Sequence, residues 1–169
     1  MSKYYTGIGS RSCPEEFGET FDKISAYLVK KGYTLRSGGA DGADKFWSEA
    51  QNKAGGKSEI YLPWIRFNDN DSQLLWSQEN WDTAAETHPY WDNMGVNARC
   101  LMARNSAQVL GFDNKTPSSF VLCWTPDGER VGGTAQALRL ADKYKIKIFN
   151  FGKVGALARF RTFCKKNLQ

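Results

Sequence analysis

The chain has 169 residues, 41% hydrophobic and 14% aromatic, with 23 Lys and Arg against 18 Asp and Glu, for a net charge of +5. That is enough apolar material for one ordinary domain with a packed core over residues 1–169, and it excludes a disordered or low-complexity chain. No apolar run approaches the roughly 18 residues of a membrane span.

Tyr4 to Ile8 reads as a first strand. It runs into a small turn, Gly7-Ile8-Gly9-Ser10-Arg11-Ser12. Ser12, Pro14 and Glu15 have the spacing of a helix start, with Ser12 as the cap. Phe17, Phe21, Ile24 and Leu28 then recur at helical period and form one apolar face, and Gly32 ends the helix. Tyr33 to Arg36 is a short second strand, followed by the glycine-rich Ser37 to Asp44. Ala43, Phe46, Trp47 and Ala50 give the next helix its buried face, up to Gly55-Gly56.

Glu59 to Leu62 is a third strand, closed by Pro63. Residues 64–93 form a tryptophan-rich insertion carrying Trp64, Trp76, Trp81 and Trp91, with a helix expected over 72–87 and a role as a lid or a subunit contact. Val96 to Leu110 reads as a helix stopped by Gly111. Phe120 to Trp124 is an unbroken apolar run, as in strands buried on both faces of a parallel sheet. A third glycine turn, Gly128 to Thr134, leads into a helix over 134–144. Ile146 to Asn150 is the last strand and Leu157 to Lys166 the last helix.

Alternating strands and helices predict an α/β, Rossmann-like, doubly wound, mainly parallel five-stranded sheet with helices on both faces. Right-handed crossovers place the turns after the strands on one edge, where ligands of such sheets bind. The three glycine turns therefore converge by topology. Glycines allow close backbone approach, and the helix start behind each turn offers free N–H groups, so the expected guest carries phosphate.

Within the turns, Gly9 and Ser10 could hold a phosphate through backbone amides, with Arg11 adding a forked contact. Ser37, Gly38, Gly39, Asp41 and Asp44 form the second turn, whose carboxylates could accept from a ribose or base, or could cap the following helix. Gly132, Gly133 and Thr134 open a helix with no acidic residue in its first turn, an uncompensated positive end suited to an anion, or one simply capped by Thr134. Arg104 and Asn105 lie on the helix before the central strand and can reach the same edge, whereas Arg99 falls on another face.

The four cysteines (Cys13, Cys100, Cys123, Cys164) lack metal-ligand spacing, and His88 is the only histidine, so neither a metal nor a resident cofactor is expected. The opening Met1 to Tyr5 lacks the charged-then-apolar layout of a secretion signal, so a cytoplasmic location is expected. The basic residues from Lys143 to Lys166 are a solvated face or a phosphate-backbone patch.

Taken together, Gly9-Ser10-Arg11, Ser37-Gly38-Gly39-Ala40-Asp41-Gly42-Ala43-Asp44, Arg104-Asn105 and Gly132-Gly133-Thr134 resemble the SLOG superfamily of Rossmann-like nucleotide-binding proteins. That superfamily includes the Lonely-Guy-type phosphoribohydrolases and DprA, and the match is closest to small phage-encoded proteins described as DprA-like. The resemblance implies a nucleotide or nucleotide-derived phosphate ligand, sensed or sequestered. It also leaves room for a nucleotide N-glycosidase or for DprA-like single-stranded DNA binding in recombination, and by analogy for a homodimer or higher homo-oligomer. Lonely-Guy-type enzymes carry a catalytic glutamate in Pro-Gly-Gly-x-Gly-Thr-x-x-Glu, and the corresponding position here is Ala137. Any substitute carboxylate would come from Asp41, Asp44, Asp82 or Asp92.

Overall fold

The computed structural model describes residues 2–168. Its frame is a parallel sheet of β1 (Tyr4–Gly9), β2 (Thr34–Ser37), β3 (Ser58–Leu62), β4 (Leu74–Leu75), β5 (Phe120–Trp124) and β6 (Lys147–Asn150), in the order β4-β3-β2-β1-β5-β6. The helices are α1 (Phe17–Lys30), α2 (Ala43–Lys53), α3 (Gln78–Thr87), α4 (Val96–Leu110), α5 (Thr134–Lys143) and α6 (Ala156–Asn167). The expected α/β, Rossmann-like parallel sheet is present, with six strands instead of five. The sixth, β4, is two residues long and pairs with Tyr61 and Leu62 of β3. Its Leu-Leu core is too short to show a period of two in the sequence.

Strand alternation divides the core. Tyr5 of β1 and Phe120, Leu122 and Trp124 of β5 join one apolar cluster with Phe21, Leu28, Trp47 and Phe160 of α1, α2 and α6. Ile8 of β1 and Val121 and Cys123 of β5 join the other with Val109, Leu110, Leu138 and Ala141 of α4 and α5. Helices therefore cover both faces, which is why β5 is apolar at every position. α3 packs on α4 from outside, and α4 is buried all round from Met102 to Leu110.

Two local expectations are corrected. α1 begins at Phe17 with Glu16 at the cap position, and Ser12 does not cap it. The Ser12 amide instead donates to Ser10 Oγ at 3.1 Å, so Ser12 belongs to the first glycine turn. In the tryptophan-rich segment the helix spans Gln78–Thr87, not 72–87. Ser77 starts it through a reciprocal box with Asn80, whose amide donates to Ser77 Oγ at 3.1 Å while Asn80 Oδ1 accepts from the Ser77 amide at 2.8 Å.

The tryptophans of this segment pack mainly on one another. Trp76 and Trp81 lie 5.1 Å apart between ring centroids, and Trp81 and Trp91 5.0 Å. Trp76 Nε1 also donates to the Pro63 carbonyl at 2.9 Å. Of these four indoles only Trp64 counts as exposed. All four cysteines are free thiols, three of them buried. No helix among the described residues is long and apolar enough to cross a membrane.

Candidate functional site

β1 lies between β2 and β5, and the chain crosses from one side of β1 to the other after β4. Strand order thus reverses at β1 and β5, and the crevice beyond their carboxyl ends is where open parallel sheets take ligands. A cleft of about 500 Å³ occupies this place. It is lined by Gly9, Ser10 and Arg11 after β1, by Ala40 and Asp44 at the start of α2, by Arg104, Asn105 and Gln108 of α4, and by Gly132, Gly133 and Thr134 at the start of α5.

The first two turns are built against each other. The Ser10 carbonyl accepts from the Ala43 amide at 3.1 Å, and the Ser10 amide donates to the Trp124 carbonyl at 2.9 Å. A Cβ on Gly9 would lie 2.7 Å from the Ala43 Cβ and closer still to the Trp124 carbonyl oxygen. A Cβ on Gly42 would meet the backbone of Arg11, and φ there is +75°. These glycines allow protein backbone to approach protein backbone. The third turn differs: nothing lies within 4 Å of a Cβ placed on Gly132, and only the Met102 methyl, at 3.7 Å, faces Gly133. The space a guest could enter is therefore above Gly132 and Gly133.

Of the residues singled out in the sequence, Gly9, Ser10, Arg11, Asp44, Arg104, Asn105, Gly132, Gly133 and Thr134 line the cleft, and Ser37, Gly38, Gly39 and Asp41 do not. Ser37 is buried and donates its hydroxyl to the Gly7 carbonyl at 2.6 Å. Gly38 sits beneath Arg104, whose Nη1 donates to the Gly38 carbonyl. Gly39 packs on Leu62. Asp41 is exposed and accepts from Asn68 Nδ2 at 2.9 Å. Neither Asp41 nor Asp44 caps α2. The sequence did not point to Phe67, Gln108, Leu101 or Met102, which also line the cleft.

Arg104 is 7% exposed. Its Nε donates to Asn105 Oδ1 at 3.1 Å, and Asn105 Nδ2 in turn donates to the Gly133 carbonyl at 2.9 Å. Both acceptors of the guanidinium are neutral, and no carboxylate of the described residues lies within ion-pair distance of it. This chain of bonds ties the α4 cation to the third glycine turn. Burial pushes the Arg104 guanidinium down from its ordinary value, and the Asp44 carboxylate opposes that. At the rim, Arg11 is exposed and makes no ion pair among the described residues.

Asp44 is the one carboxylate in the cleft lining. Burial pushes its carboxyl up to about 6, against the pull of Arg104 and of the backbone N–H groups of Ala40, Gly9 and Gly38. Its folded pKa lies above the unfolded one, so between about 4 and 6 the folded protein binds more protons than the unfolded chain. The Asp44 contribution to stability is then most favourable below that window and is lost as pH rises through it. Urea denaturation of wild type and Asp44→Asn from pH 4 to 7 is expected to show the variant gaining relative stability as pH rises. A constant difference across the range would contradict this environment for Asp44.

The basic residues near the C-terminus do not reach the cleft. Lys147, Lys153 and Arg159 line a separate depression along the outer edge of β6, with Arg130 and its ion-pair partner Asp142.

No family model matches the chain, and no curated protein matches it. Among solved structures, DNA processing protein A from Helicobacter pylori, described for its single-stranded DNA binding mode, is similar over 88% of this chain at 19% identity with a TM-score of 0.55. This chain spans 65% of the length of that one. The Moco carrier protein of Chlamydomonas rheinhardtii is similar over 99% of this chain and 87% of its own, at 18% identity and a TM-score of 0.51. At these identities the likeness is one of fold alone, a Rossmann-like α/β sheet.

Proposed function

We propose that the protein binds a nucleotide or a nucleotide-derived phosphate in the cleft at the carboxyl edge of the sheet, as a sensing or sequestering module. The observation that carries this reading is Arg104. The buried guanidinium lines an open cleft, gives its hydrogen bonds to neutral acceptors and has only the Asp44 carboxylate, beyond ion-pair distance, to offset its charge, which favours an anionic guest. The start of α5 has no acidic residue to offset its positive end, and the open backbone at Gly132 and Gly133 gives a phosphate room to approach it, although the Ala135 and Gln136 amides already donate to the Gly132 and Gly133 carbonyls. Arg11 supplies a second guanidinium at the rim.

Retention is favoured over hydrolysis by Ala137, which lines the cleft at the position where Lonely-Guy-type enzymes carry their glutamate. Asp82 bonds Gln78 on α3, Asp41 bonds Asn68, and Asp92 is exposed beyond the cleft lining. Asp44 alone is left to act as a carboxylate on a bound sugar. The fold neighbour from Helicobacter pylori is described as binding single-stranded DNA, so a strand entering the same cleft by a phosphate is the second reading.

A thermal-shift panel of nucleoside monophosphates, with oligo-dT as a further arm, tests the site. A ligand at about 100 times its Kd adds about 2.7 kcal/mol of apparent stability. Arg11→Ala and Gly133→Asp are expected to abolish that shift while the ligand-free melting temperature changes little. The nucleotides are expected to be recovered intact. An undiminished shift in both variants would refute the site, and free base in the mixture would make the protein a hydrolase dependent on Asp44.

A further inference from the structure

The loop from Trp64 to Asn70 runs through left-handed backbone. Arg66, Asn68 and Asp69 have φ of +67°, +53° and +56°, which Asn and Asp adopt more readily than other non-glycine residues and which is costly for Arg66. Such a conformation persists only when the surroundings hold it. Here Asn68 Nδ2 donates to the Gly39 carbonyl at 3.2 Å and to Asp41 Oδ1 at 2.9 Å, and Arg66 pairs with Asp71. Ser72 Oγ donates to the Ile60 carbonyl at 2.5 Å. The loop is thus strapped to the second glycine turn, and Gly39 and Asp41, which do not line the cleft, are the posts to which it is tied.

The residue this strap presents to the cleft is Phe67. Its ring is partly buried, with the Arg104 guanidinium 5.7 Å from its centroid and the Trp64 ring edge-to-face with it at 5.4 Å. Leu101 and Met102 of α4 add apolar lining to the same cleft. A guest that reaches both the start of α5 and this wall needs an anionic end and a flat, apolar, polarisable end. An aromatic face stacks any nucleobase, whereas a bare sugar phosphate offers it nothing.

Resting on the reading of the cleft as a phosphate site, we infer that Phe67, held by the 64–70 strap, is the stacking platform for a nucleobase and makes the site selective for nucleoside monophosphates over sugar phosphates. The bonds from Asn68 to the second glycine turn are what keep the ring in place before the ligand arrives. Asn68 is a positioning residue: it touches the second turn and acts through Phe67.

Calorimetric titration of the full chain with AMP, GMP, CMP, UMP, ribose 5-phosphate and inorganic phosphate tests this. In wild type at least one nucleotide is expected to bind about tenfold or more tighter than ribose 5-phosphate. Phe67→Leu is expected to remove most of that ratio and leave ribose 5-phosphate affinity unchanged. Phe67→Trp should restore the ratio, and Asn68→Ala should reduce it. A ratio that survives Phe67→Leu overturns the inference. So does equal binding of nucleotide and ribose 5-phosphate in wild type, in which case an Arg11-dependent affinity leaves the phosphate site standing. If none of the six compounds binds, both readings fall.

Discussion

Arg104→Met is expected to weaken binding of whichever nucleoside monophosphate stabilises the wild type by roughly 10- to 150-fold. That range is the approximately 1.5–3 kcal/mol of a hydrogen bond to a charged group, at about 1.4 kcal/mol per decade. The loss has two sources. The cleft loses its buried cation, and Asn105 loses the donor that orients its side chain toward the Gly133 carbonyl. Methionine keeps much of the apolar stem, so the volume beneath the cleft stays filled. The ligand-free protein should lose about 1–3 kcal/mol, because the Gly38 carbonyl and Asn105 Oδ1 would be left buried with one donor fewer. Arg104→Lys is expected to be nearly as poor a binder, since a single ammonium does not reproduce the fork that reaches both acceptors. Titration calorimetry gives the affinity and urea denaturation the stability. Affinity within twofold of wild type in both variants would remove Arg104 from the site.

Trp47→Ala is expected to cost about 3–5 kcal/mol, a large share of the roughly 5–15 kcal/mol stability of an ordinary domain. The indole is fully buried. It stacks on Phe21 with ring centroids 3.8 Å apart and planes at 10°, and it meets Tyr5 edge-on at 6.1 Å. It also lies so close to β1 that a Cβ on Gly7 would come within 2.8 Å of Trp47 Cγ. Gly7 and Trp47 are therefore complementary: a side chain at Gly7 has no room while the indole is in place. Among the described residues none bonds the Trp47 Nε1, so the loss is one of packing and cavity. For the same reason Trp47→Phe should cost much less, because it keeps a stacked ring and removes the unpaired N–H. Urea midpoints with unchanged m-values would report both. An alanine variant within 1 kcal/mol of wild type would mean that the core between α1, α2 and the sheet is not packed as described. Because α2 carries Asp44 at its start, the alanine variant should also loosen ligand binding, whereas the phenylalanine variant should not.

Local pattern was a sound guide wherever one face of an element meets one layer. Phe21, Ile24 and Leu28 read as the buried stripe of α1 and are its core, and the continuous apolar run of β5 is covered on both faces. It gave less where an element has no single buried face or pairing is short. α4 is covered by the sheet on one side and α3 on the other, so its bounds were legible but the depth to which Arg104 is buried was not. β4 contributes two residues, and the strap before it holds Arg66 in left-handed backbone, which the propensity of that residue does not anticipate.

The sequence by itself determined the alternation of strands and helices and the order of the glycine turns, because hydrophobic period and turn chemistry are local properties. From these follows the edge on which the turns gather, since crossover handedness leaves little choice. Only the tertiary structure decided what each turn does there. Gly9 and Gly42 are used up by close packing between the first two turns, Gly39 and Asp41 hold the strap, and Gly132 and Gly133 stay open to a guest. The physical reason is that whether a glycine admits a ligand or a neighbouring backbone depends on which distant segment lies against it, and that is set by packing across the sheet.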